Sequence, residues 1–118
     1  MSGTMTTYID GGRSGKSDIM LPGFHPAATI VGYCGGTLLT GPIQQLFDWI
    51  DANGPAPNIE PNIASIEVLE TVAVIRLEVK NWSGNLAGVN ARMSDIFTLL
   101  KTDDGWKISQ KTFHWHTS

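Results

Sequence analysis

The sequence predicts an α+β domain in which helices cover one face of a curved antiparallel sheet. Three observations carry that expectation. Ile43, Leu46, Phe47 and Ile50 fall at i, i+3, i+4 and i+7, the apolar stripe of an amphipathic helix. From residue 64 onward apolar and polar residues alternate instead, which is the period of half-buried strands. The last two such runs flank Asp104-Gly105, a dipeptide that favours a tight hairpin. The 118 residues suit one domain, 1–118, with a single core.

Taken in order, the chain opens with a helical stretch around Tyr8-Ile9 that Gly11, Gly12 and Gly15 are expected to end. Ser17 to Leu21 has the pattern of a second short helical turn before Pro22. Thr29 to Tyr33 reads as a strand, Cys34-Gly35-Gly36 as a turn, and Thr37 to Thr40 as a returning strand. Gly41-Pro42 opens the amphipathic helix, because proline is tolerated in a first helical turn, and Asn53-Gly54-Pro55 closes it. Residues 55–61 form an extended loop. Two alternating strands follow, Ala64–Val68 and Ala73–Val79. A loop over residues 82–88 then delivers the chain to the final hairpin, Ala91–Lys101 and Trp106–His116.

In the hairpin the odd positions Met93, Phe97 and Leu99 are apolar, so they share one face, and Asp95 sits among them. A two-residue turn at Asp104-Gly105 places Asp95 opposite His114, and a loop from Thr102 to Gly105 places it opposite Thr112. Either register puts Asp95 and His114 on one face, roughly 5–8 Å apart, unless the loop is odd or a bulge intervenes. The last strand also changes parity, from Trp106 and Ile108 to Phe113 and Trp115. Either it contains a bulge, or its second apolar face is covered by a partner.

Composition narrows the function. The net charge of -3 and the scattering of the eight basic residues argue against a nucleic-acid partner. No apolar run approaches the roughly 20 residues that span a bilayer, so no membrane role is expected. The single cysteine, Cys34, forms no internal disulfide, and a cytoplasmic location is the expectation.

Tyr8-Ile9-Asp10-Gly11, Gly15-Lys16-Ser17-Asp18, Phe24-His25-Pro26-Ala27-Ala28-Thr29, Gly36, Gly41-Pro42, Leu99-Leu100-Lys101 and Gly105-Trp106-Lys107-Ile108 occur in one succession along the chain. With these residues the chain resembles the NTF2-like superfamily, and within it the small group labelled putative lumazine-binding or SnoaL-like. The resemblance implies a cone-shaped α+β barrel whose bent sheet wraps a pocket closed by helices, usually as a homodimer. Steroid-isomerase relatives carry a general base shortly after the Ala-Thr that Ala28-Thr29 resembles. That position falls near Gly32, which has no side chain to act as a base.

The candidate catalytic residues are Asp95 and His114. A carboxyl on an apolar strand face has a raised pKa, and an imidazole beside it forms an acid–base pair of the kind that related dehydratases and cyclases use. The alternative has Asp95 at the cavity rim, paired with Arg76 or Arg92. Candidate ligand-binding residues are Tyr8, Tyr33, Phe47, Trp49, Phe97, Gln110 and His116, with Tyr8 at the position where the isomerases keep a hydroxyl donor. His114 and His116 lack a third ligand at suggestive spacing, so no metal is expected, and no cofactor is implied. His25 is expected to hold its turn by hydrogen bonds. The function expected is binding of a small apolar or aromatic molecule in the cavity. The alternatives are a dehydratase, cyclase or isomerase using Asp95 and His114, and a dimeric interaction module. A homodimer is expected through the face carrying Ile96, Phe113 and Trp115.

Overall fold

The computed structural model describes residues 2–34, 36–84 and 88–116. It contains helices α1 (Ser2–Ser14), α2 (Ser17–Met20) and α3 (Gln44–Asn53), and strands β1 (Phe24–Cys34), β2 (Thr37–Pro42), β3 (Glu60–Leu69), β4 (Val72–Gly84), β5 (Gly88–Thr102) and β6 (Gly105–His116). All six strands join one sheet in the order β2-β1-β6-β5-β4-β3. The expected element order is present. The sheet is mixed, however, because β1 runs parallel to β6 while every other neighbouring pair is antiparallel. Parts of the expected 34–36 turn and 82–88 loop lie outside the described residues.

α1 continues through Gly11 and Gly12, which were expected to stop it. A Cβ on Gly11 would come within 2.6 Å of Met20 Cβ, so the missing side chain lets α2 pack directly on α1. The stop comes at Gly15, whose φ of +67° is left-handed. α3 buries Leu46, Phe47 and Ile50 as its stripe requires, and Ile43 is buried just before its first turn. Pro42 belongs to β2, where it pairs with Thr29, so the helix starts two residues later than expected.

The odd residues Met93, Asp95, Phe97 and Leu99 of β5 face inward and are buried, together with Ala73, Ile75, Leu77 and Val79 of β4. Tyr8, Phe24, Phe47 and Phe97 stack edge to face behind them, with ring centroids 5.1 to 6.3 Å apart. Pro26 lies where β1 slips against β6, between the pairs Phe24–Ile108 and Thr29–Gln110. There its missing N–H costs no ladder bond. As expected, His25 holds this kink, its Nδ1 accepting the Ala27 N–H at 3.0 Å.

Candidate active site

The hairpin decides what meets Asp95. Thr102 pairs with Gly105 across a two-residue turn, Asp103-Asp104, and Leu99 pairs with Ile108. The next pair is Thr98–Gln110, so Ser109 has no partner on β5 and forms a one-residue bulge. Its hydroxyl donates to the Thr98 carbonyl at 2.9 Å. Beyond the bulge every side chain of β6 changes face. Ile108, Lys111 and Phe113 therefore all point inward, while His114 is exposed.

This corrects the expected dyad. Asp95 is fully buried on the inner face and lies opposite Phe113; His114 lies opposite Ser94, on the outer face. The same bulge turns Phe113 and Trp115 inward, so they do not join Ile96 on an outer surface. Nor does Asp95 pair with an arginine at a rim, since Arg76 Nε bonds the Glu78 carboxylate at 3.0 Å on the outer face. The residue brought to Asp95 is Lys111.

Lys111 Nζ donates to the Tyr8 hydroxyl at 2.8 Å and lies 3.6 Å from Asp95 Oδ1. The Tyr8 hydroxyl donates in turn to Asp95 Oδ2 at a long 3.4 Å. Among the described residues, nothing makes a hydrogen bond to Asp95 Oδ1. All three side chains are buried within the apolar core. Burial pushes the Asp95 carboxyl up to about 6, against the opposing pull of the Lys111 charge and the Tyr8 hydroxyl. Burial likewise lowers the Lys111 ammonium, with Asp95 resisting, and raises the Tyr8 phenol well above its usual range, reinforced by Asp95. Each charged form is disfavoured, so acid and base are brought towards one another.

Beside this cluster lies a cavity of about 310 Å³ lined by Ile30, Cys34, Leu39, Gln45, Leu46, Trp49, Met93, Lys111, Phe113 and Trp115. Cys34 and Leu39 are exposed and form its mouth, whereas Ile30, Met93 and Lys111 are buried and form its floor. Trp49 of α3 meets Trp115 of β6 edge to face, ring centroids 5.6 Å apart, and walls one side. Lys111 Nζ sits 5.4 Å from the centre of the Phe113 ring, a second lining residue.

Among the residues expected to bind a ligand, Trp49 alone lines this cavity. Tyr8 stands behind Lys111, and Phe47 and Phe97 fill the core. Tyr33 is 51% exposed. Gln110 pairs with Thr98 and, like His116, lies on the outer side of the sheet. There Ser94 Oγ donates to Glu78 Oε1 at 2.6 Å and contacts His116 Nε2 at 2.8 Å. Serine stands between the acid and the histidine, so this is not the order in which a base activates a nucleophile. Among the described residues no group of three or more His, Cys, Asp or Glu could hold a metal ion. Sequence reasoning missed Lys111, yet its signal was the parity change in β6, which the bulge explains.

A family described as "Putative lumazine-binding" matches residues 1–114. The chain belongs to that family, within the NTF2-like superfamily. An NTF2-like protein from Shewanella baltica is 36% identical, with TM-score 0.88 over 99% of this chain and 91% of that one. Another from Methylobacillus flagellatus is 39% identical, also at TM-score 0.88, over 98% of this chain and 89% of that one. A ketosteroid isomerase-like protein from Erwinia carotovora shares the fold, at TM-score 0.75 and 13% identity over 99% of this chain and 94% of that one. An aldolase, FrzH, from a Cladobotryum species is 29% identical over 111 residues, 94% of this chain and 85% of that protein. This member of the family has no room for a side chain at Gly32. A Cβ there would fall 2.2 Å from the Phe113 carbonyl oxygen and 2.4 Å from its ring. Phe113 occupies the space that a base at that position would need.

Proposed function

We propose that the protein binds a small molecule with an apolar or aromatic body in this cavity, its one polar oxygen directed at Lys111. The observation that carries the reading is a buried lysine on the floor of a cavity otherwise walled mainly by Ile30, Leu46, Met93, Trp49, Phe113 and Trp115. Apolar walls with few convergent polar groups are the ordinary design of a ligand site. A hydrogen bond from a buried ammonium contributes about 1.5–3 kcal/mol, enough to fix orientation. The test uses methionine ε-methyl signals in a screen of small aromatic ketones, acids and phenols. Met93 lines the cavity, Met5 lines a separate groove beside α1, and Met20 is buried core. Binding as proposed moves Met93 and leaves Met5 and Met20 in place. Shifts confined to Met5, or none with any compound, contradict it.

A second reading, an enzyme acting on carbonyl compounds, draws on the carboxyl at about 6 next to Lys111 and on the likeness to a protein named as an aldolase. In it Lys111 replaces His114 as the partner of Asp95. Homodimer formation through the outer face of the sheet also belongs to the proposal. It is supported by Val74 and Ile96, 42% and 48% exposed on neighbouring strands. A cytoplasmic location suits the exposed, unpaired Cys34. No helix among the described residues is long and apolar enough to cross a membrane.

A further inference from the structure

We infer that Lys111 is a covalent carbonyl-binding residue, whose Nζ forms an imine with an aromatic or apolar aldehyde or ketone held in the cavity. This rests on the cavity reading above and goes one step beyond it. Three observations point to amine chemistry, and away from a carboxylate that touches the ligand itself. Lys111 lines the cavity, whereas Asp95 lies behind it and is not among the lining residues. A carboxylate oxygen, Asp95 Oδ1, stands 3.6 Å from Nζ and accepts no hydrogen bond among the described residues, so a lone pair is placed to take a proton from nitrogen. The apolar enclosure disfavours the ammonium, as it does for lysines that act as nucleophiles.

The step balances with these groups alone. The ammonium gives one proton to Asp95 Oδ1, leaving a neutral amine and a carboxylic acid. The nitrogen lone pair attacks the carbonyl carbon while the C=O π pair moves to oxygen. One N–H proton shifts from nitrogen to that oxygen, forming a carbinolamine. Asp95 then returns its proton to the carbinolamine nitrogen, and a proton passes from that nitrogen to the hydroxyl. The nitrogen lone pair expels it as water, and a C=N bond forms. The products are water, a protonated imine and the Asp95 carboxylate. No electrons are gained or lost overall, and a positive nitrogen again faces Asp95 as at the start. The Tyr8 hydroxyl, 2.8 Å from Nζ, holds the nitrogen in place during the exchange.

The test treats the native chain with benzaldehyde and sodium cyanoborohydride, which reduces a protonated imine to a stable amine, and maps the adduct by peptide mass. The chain supplies its own controls, since Lys16, Lys80 and Lys101 are exposed amines. The expected result is labelling of Lys111 that exceeds each exposed lysine by roughly tenfold or more, as for an amine whose ammonium form burial disfavours. Met93 methyl shifts with styrene, which has the same shape without the carbonyl, report cavity occupancy separately. A Met93 shift with labelling spread over the exposed lysines overturns the covalent role and leaves the cavity reading standing. Uniform labelling with no Met93 shift overturns both.

Discussion

Lys111, Asp95 and Tyr8 form a polar cluster inside an apolar core, and such clusters are costly when broken. Asp95→Asn leaves the Lys111 ammonium buried without its counter-charge, and is expected to destabilise the fold by about 3–5 kcal/mol. The double variant Asp95→Asn with Lys111→Met replaces both charges and is expected to recover most of that loss, as seen in urea unfolding. A loss in the double variant equal to the sum of the single losses would show the two residues to be independent. The pH dependence has a definite sign. Burial raises the Asp95 carboxyl from its usual 3.8 to about 6. Its contribution to stability is therefore complete below pH 3.8 and is lost as pH rises through about 6. A carboxyl carbon signal for Asp95 that titrates near 6 checks this, and a midpoint below 4 contradicts it.

At the scale of elements, the bulge at Ser109 decides which half of β6 meets the core. Deleting Ser109 makes Ile108 and Gln110 consecutive partners of Leu99 and Thr98, so Ile108, Lys111, Phe113 and Trp115 still face inward together on a regular strand. The expected outcome is a variant that still unfolds cooperatively on heating, and loss of the cooperative melt would show that the local bend at Ser109 is itself needed. Helix α3 allows a finer comparison. Ile50→Ala should cost about 2–5 kcal/mol by leaving a void in packed core. Leu46 faces the cavity for part of its surface, so Leu46→Ala should cost less. Chemical denaturation of both variants orders them. The helices, the sheet and the inward set of β5 were legible in the sequence, because period and turn chemistry are local. The site was not, because one unpaired residue in β6 shifted the register and exchanged His114 for Lys111. Alternation cannot locate a bulge to the residue. The change of apolar parity between Ile108 and Phe113 marks only the interval that holds it.

For the whole molecule, the bent sheet and the three helices leave a cavity of about 310 Å³ that opens past Cys34 and Leu39 and ends on Lys111. The outer face of the sheet is expected to pair two copies of the chain. Light scattering of the native chain should give a dimer, and Ile96→Glu should give a monomer that keeps its cavity. A native chain that is monomeric at micromolar concentration removes that part of the proposal. At the cavity floor a buried lysine is proposed to receive the polar end of an apolar ligand. Acetophenone and α-methylstyrene have nearly the same shape and differ in whether an oxygen faces Lys111. Their affinities are followed at the Met93 methyl in the native chain and in Lys111→Met. The expected result is a native chain that prefers the ketone by about tenfold or more, the effect of one charge-assisted hydrogen bond, and a variant that shows no preference. Equal affinity for the two compounds in the native chain, or an undiminished preference in Lys111→Met, would contradict it.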